Sequence, residues 1–314
     1  MQTFEPTIPA EVPAALLNRY LENLGRATYN TGNLLLFAGD QKVEHLNDDY
    51  FGPGITPENA DPEHMFKIAS QAQVGCFAAQ LGLISRYGND YPTIPYLVKM
   101  NSKSNLVPTS QAESISRQWC TMEQLDEFMV SSRLNVVGVG YTIYVGSEHE
   151  SFMYSEAARL IFEAHRRGLF TVLWMYPRGK AVPNEKDPHI VAGAAGIGAT
   201  LGSDFVKVNY PHKEGMAPAE GLKEAVLAAG RTKVICAGGS SMGAQEYFQM
   251  LFDQMHISGA HGTAAGRNIH QRPLEEAVRF TNACHAIIIE GKTVEEAMAI
   301  YNGSGNATPV QPQQ

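Results

Sequence analysis

The stretch 34-LLLFAGD-40 runs through apolar and small residues and stops abruptly at a carboxylate. A parallel strand buried on both faces has this pattern, because only its carboxyl end meets solvent. The pattern recurs at 74-VGCFAAQ-80, 96-YLVKMN-101, 136-VVGVGYTIY-144, 170-FTVLWMYP-177, 205-FVKVNY-210, 233-KVICAGG-239 and a short 257-ISGAHG-262, eight in all. Segments with helical spacing lie between them, such as 150-ESFMYSEAARLIFEAHRRG-168, 188-PHIVAGAAGIGATLG-202, 216-MAPAEGLKEAVLAAG-230 and 243-GAQEYFQMLFDQMH-256. Buried strands alternating with helices predict a parallel sheet in an α/β fold, and eight units favour closure into a (β/α)8 TIM barrel. An open doubly wound sheet is the alternative.

Around this rhythm the chain divides into an N-terminal extension and helix (1–30, with an amphipathic segment from roughly 11 to 24), the barrel (31–303) and a tail expected to be disordered (304–314). The region 84–135 is long for one crossover and predicts an elaboration after strand 2 or 3. Its polar run 101-NSKSNLVPTSQAES-114 reads as an insertion or lid near the active face. A formal net charge of −8 and the lack of a Lys/Arg block give nucleic acid no electrostatic footprint. With no signal-peptide pattern and no apolar run of about 18 residues, the expectation is a soluble, cytoplasmic protein with no membrane partner. Cys76, Cys120, Cys236 and Cys284 form no CxxC pair and read as reduced core residues.

In a barrel of this kind the C-terminal ends of all strands face one shared site. Lys207 sits within its strand, on the same side as Phe205 and Asn209. Turned inward, it would lose solvation, so its neutral amine would attack a carbonyl; turned outward, it would snorkel past the helices. Spacing alone leaves both open. Lys99 has a similar position and would be either a second buried cation or an ion-pair partner. In 174-WMYPRG-179, Trp174 and Tyr176 share a face and Arg178 lies just past the strand, where it suits a phosphate. Tyr176 suits proton transfer, or it fills an aromatic layer.

Asp40 closes the first strand and would pair with a lysine or hold a substrate hydroxyl. Asp40, Glu44 and His45 loosely resemble metal ligands, but no HxH or HExxH spacing supports a metal site. The glycine-rich corners 237-AGGSS-241 and 259-GAHGTAAGRNI-269, the latter containing Arg267, follow the late strands, where barrels usually hold phosphate. Neither is a nucleotide-binding motif.

The segments 35-LLFAGDQKVEH-45, 174-WMYPRG-179, 204-DFVKVNYP-211, 235-ICAGGSS-241 and 262-GTAAGRNI-269, in this order, resemble the archaeal-type class I fructose-bisphosphate aldolases, relatives of the deoxyribose-phosphate aldolase barrels. The resemblance implies that Lys207 forms a Schiff base with a phosphorylated sugar, Tyr176 transfers a proton and Asp40 assists at the hydroxyls. It further implies that Trp174 packs near the substrate and that Gly238, Gly239, Ser240, Gly266 and Arg267 hold one phosphate. Arg178 would reach the other. It implies no metal or other cofactor, and a large homo-oligomer. Members commonly carry Asp-His-Gly after the first strand, whereas this chain has 40-DQK-42, so Lys42 replaces a glycine. Other readings are a transaldolase-like synthase or thiolase using the same lysine, and a non-enzymatic metabolite-binding barrel in which Lys207 would face the helices.

Overall fold

The computed structural model describes residues 4–305. Eight parallel strands close into a barrel in sequence order. They are β1 (Leu34–Ala38), β2 (Cys76–Gln80), β3 (Tyr96–Lys99), β4 (Val136–Val145), β5 (Phe170–Pro177), β6 (Phe205–Val208), β7 (Lys233–Ala237) and β8 (Gly262–Ala265). Seven strands begin within two residues of the sequence reading. The eighth is a correction: 257-ISGAHG-262 is largely the turn leading into β8, and the strand itself is 262-GTAA-265. Closure pairs Leu34 with Gly262 and Phe37 with Ala265.

Because side chains alternate along each strand, the apolar residues divide into two cores. Leu34, Leu36, Ala38, Leu97, Val172, Trp174, Phe205 and Ile235 fill the interior. Leu35, Phe37, Val98, Leu173, Val206 and Val208 face outward into the layer of helices. The helix Leu17–Thr28 lies a few residues later than the amphipathic segment suggested and contributes Tyr20, Leu24 and Ala27 to the interior core. It plugs the N-terminal end of the barrel.

The plug is pinned by polar groups. The Tyr20 hydroxyl donates to Asp204 Oδ1 at 2.5 Å. Asp204 Oδ2 lies 2.9 Å from His165 Nε2, and His165 Nδ1 lies 2.6 Å from Glu11 Oε1. The region 84–135 resolves into the helix Leu81–Tyr87, β3, an excursion over 100–121 and the helix Met122–Ser132, which a Thr121/Gln124 capping box starts. The excursion returns to the active face, where the Ser147 hydroxyl donates to the Ser114 carbonyl at 2.6 Å. The helix Val294–Tyr301 ends the described chain, and the expected disordered tail lies, from residue 306 on, outside the described residues. All four cysteines are free, and among the described residues no helix is long and apolar enough to cross a membrane.

Candidate active site

Lys207 points into the barrel. It stands level with Trp174 on β5 and Ile235 on β7, both interior residues, and only 3% of its surface is exposed. Burial lowers its pKa; Asp40 and Glu44 oppose that shift, and Lys99 and Arg267 reinforce it. The amine is thereby biased toward its uncharged, nucleophilic form. Its Nζ stands 5.2 Å from the centre of the Trp174 ring, and Lys99 Nζ stands 4.9 Å from the same ring. Gly140 makes room for that indole, since a Cβ there would lie 2.5 Å from Trp174 Cζ3.

Lys99 is the charge partner of Asp40, with Nζ 3.6 Å from Oδ2, and it also donates to Thr142 Oγ1 at 2.6 Å and to the Asn101 carbonyl at 3.0 Å. Neither oxygen of the Asp40 carboxylate has a hydrogen bond, although both are buried. Gln80 fixes the residue through its main-chain carbonyl, at 3.0 Å.

Above Lys207 opens a cavity of about 150 Å³, at the C-terminal ends of the strands. Its walls bring together Asp40, Glu44, His45, Tyr176, Arg178, Lys207 and Asn209 with Gly238, Gly239, Gly266 and Arg267. Trp174 and Lys99 lie beneath the floor and do not line it. Ser240 is exposed and away from the walls; its carbonyl accepts from Asn268 Nδ2 at 3.0 Å. Among the described residues no group of three or more His, Cys, Asp or Glu could hold a metal.

Two of the basic residues carry prior commitments. Arg178 donates through Nε and an Nη to the two oxygens of Glu185, both at 3.0 Å, leaving its other amino group for an anion. Arg267 Nε stands 3.7 Å from Asp49 Oδ2, and the same oxygen lies 3.2 Å from His45 Nδ1. Lys42, the departure from the family pattern, sits in the short helix Gln41–Glu44 and turns its Nζ over the Tyr50 ring, 4.2 Å from the centroid. It does not enter the cavity.

Burial drives the Tyr176 phenol well above its ordinary pKa, with Glu44, Asp40 and Tyr144 adding to the shift, so it stays protonated at neutral pH. Tyr144, which pairs in register with Tyr176, was not singled out from sequence. Nor was Asn268, which donates to the Gly238 and Ser240 carbonyls at 2.9 and 3.0 Å and joins the two glycine corners. Asn105 was also missed: it lines the cavity and donates its main-chain N–H to the Glu44 carbonyl at 2.9 Å.

The chain is similar to proteins with known activities. It is 54% identical, over 94% of both chains, to the fructose-bisphosphate aldolase/6-deoxy-5-ketofructose 1-phosphate synthase of Methanocaldococcus jannaschii. A solved fructose-bisphosphate aldolase from Slackia heliotrinireducens superposes with a TM-score of 0.96 at 49% identity, covering 100% of this chain and 99% of that one. An archaeal fructose-1,6-bisphosphate aldolase, solved with its catalytic lysine covalently bound to the carbinolamine intermediate, gives 0.72 at 31% identity, covering 87% of this chain and 99% of that one. The description DeoC/LacD family aldolase matches residues 34–272, a span that takes in all eight strands, and the chain belongs to that family.

Proposed function

We propose that the protein is a class I fructose-bisphosphate aldolase, cleaving fructose 1,6-bisphosphate reversibly into dihydroxyacetone phosphate and glyceraldehyde 3-phosphate through a Schiff base on Lys207. The observation that carries this reading is the inward-facing, desolvated Lys207 amine at the base of a cavity whose far wall is a pair of glycine corners. A buried lysine is costly unless its environment favours the neutral form, and a neutral amine is the form that adds to a ketone.

The steps follow from charge. Lys207 Nζ adds to the C2 carbonyl, and loss of water leaves a cationic imine. The C3–C4 bond breaks as its electron pair moves toward the iminium, forming an enamine. The C4 hydroxyl gives up its proton, C4 becomes the aldehyde carbon, and glyceraldehyde 3-phosphate departs. Because Tyr176 is held protonated, it serves as a relay in this reading: it takes the hydroxyl proton while passing its own toward the Asp40 carboxylate, directly or through water. The enamine then takes a proton at C3, and hydrolysis releases dihydroxyacetone phosphate and restores the amine.

Gly238, Gly239, Gly266 and Arg267 hold the ketone-side phosphate in this scheme, and the free amino group of Arg178 meets the other. Lys99 balances Asp40 below. The cationic imine is itself the electron sink, so the scheme calls for no metal. The same reading carries with it a cytoplasmic, homo-oligomeric enzyme of glycolysis and gluconeogenesis.

A second reading, a synthase that hands the enamine to a different aldehyde, is favoured by the two activities in the name of the M. jannaschii relative. It shares every step up to the enamine. Borohydride reduction in the presence of dihydroxyacetone phosphate tests both. The expected result is a stable adduct on the peptide containing Lys207, and no adduct on any lysine would overturn them.

A further inference from the structure

Glu44 lines the cavity without a task in the steps of imine formation. It ends the short helix Gln41–Glu44, only 8% of its surface is exposed, and its Oε1 is buried with no hydrogen bond. An unpartnered carboxyl oxygen in such a place is costly unless a ligand satisfies it. The Glu44 main-chain carbonyl accepts from the Asn105 N–H at 2.9 Å, which ties it to the excursion after β3. Its charge acts on Tyr144, Tyr176 and Lys103, and Arg178 acts on it in turn.

The partner that fits is a hydroxyl. A phosphate would set two anions against each other, while a hydroxyl donates to a carboxylate and exchanges hydrogen bonds equally well with a carboxylic acid. Both forms matter here, because burial and then Asp40 raise the Glu44 pKa, against the pull of Lys99, Lys207 and Arg178. With the ketone-side phosphate at the glycine corners, the fragment lying along the Arg178 flank is the aldehyde.

We infer that Glu44 is a specificity-determining residue: it binds the hydroxyl next to the aldehyde carbon, the C5 hydroxyl of the bisphosphate, and thereby selects hydroxylated aldehydes over deoxy ones. The inference rests on the aldolase reading above. The main-chain bond from Asn105 sets the height at which the carboxyl stands, and so gives the excursion after β3 a part in acceptor choice.

The test measures condensation of dihydroxyacetone phosphate with two acceptors, glyceraldehyde 3-phosphate and 3-oxopropyl phosphate, which lacks only that hydroxyl. The wild-type enzyme should favour the first by about 10- to 100-fold in kcat/KM, the usual size of a hydrogen bond to a charged group. In Glu44→Ala the preference should fall to about threefold or less, through loss of activity with the hydroxylated acceptor alone. Glu44→Gln should recover part of it. Glu44→Met, which replaces an unpaired buried carboxyl with an apolar chain of similar size, guards against a variant that fails to fold. Borohydride trapping of dihydroxyacetone phosphate should be unchanged in all three. An equal loss with both acceptors, or a preference as large in Glu44→Ala as in the wild type, would overturn the inference. Failure of the wild type to trap the ketone at all would overturn the aldolase reading instead, and this inference with it.

Discussion

The two ends of the barrel each bury a cluster of ionisable groups, and the clusters are finished differently. At the N-terminal end, His165 is held between Glu11 and Asp204. Asp204 also accepts from Tyr20 and from the Thr171 N–H and hydroxyl, so neither carboxylate is left without a partner. At the C-terminal end, both Asp40 oxygens, Glu44 Oε1 and the Trp174 Nε1 are buried without hydrogen bonds. A cavity of about 290 Å³ beside the first cluster is nearly twice the size of the one beside the second, at about 150 Å³. Volume therefore does not mark the site. Unpaired carboxylate oxygens on the cavity wall do, because those of Asp40 and Glu44 are costly to leave unmet and a ligand in the cavity would complete them. Stability at one face of such a barrel and chemistry at the other follow the same division.

Substitutions at the two ends should part company. Lys207→Ala should lower cleavage by about 10⁴-fold or more, with borohydride trapping abolished. Lys207→Met should be equally inactive yet melt above the wild type. The lowered pKa of Lys207 means the folded state disfavours its ammonium near neutral pH, and an apolar side chain removes that penalty. A lower melting temperature would place Lys207 with the structural cluster after all.

Tyr176→Phe should lower cleavage by about 10²- to 10³-fold while trapping persists. Equal loss of both would make the phenol a packing group. His165→Ala should do the reverse of these changes. It leaves two carboxylates facing each other and should lower unfolding free energy by about 3 kcal/mol in denaturant titrations, with kcat unchanged while the protein is folded.

The pH dependence of that end has a definite sign. Burial lowers the His165 pKa, but Asp204 and Glu11 outweigh it and the net shift is upward. The stabilisation is therefore complete below the unfolded histidine value and is lost as pH rises through the folded one. Wild-type stability should fall along an alkaline limb that His165→Ala lacks. The smallest effect is expected at Arg178→Gln, about a tenfold rise in KM for the bisphosphate, because Glu185 already occupies two of the guanidinium donors.

Much of this arrangement can be seen in the residues alone. The buried strands announce themselves because a sheet covered on both faces needs continuous apolar runs, and the alternation in 205-FVKVN-209 put Lys207 on one side with Phe205 and Asn209. The eighth strand was misplaced for a physical reason. It packs so closely on β1 that a Cβ at Gly262 would sit 2.0 Å from the Leu34 carbonyl oxygen. Its residues are accordingly small, and small residues carry no hydrophobic signal. Whether Lys207 faced in or out depended on register with β5 and β7, which no local pattern encodes. Glu185 as the partner of Arg178, and Asn105 as the tether of Glu44, come from loops, where contacts depend on how the backbone closes rather than on any period. Glu44 itself was visible only as one of three neighbouring ligand-type residues; its lack of a partner is a property of the folded interior.

The plug at the N-terminal end has a consequence for biosynthesis. Tyr20 and Asp204 are 184 residues apart in the chain, so at translation rates of roughly 5–20 residues per second the helix waits about ten to forty seconds for the group that secures it. Throughout that interval its apolar stripe is exposed on the nascent chain, which makes the first-made helix the natural client of a ribosome-associated chaperone.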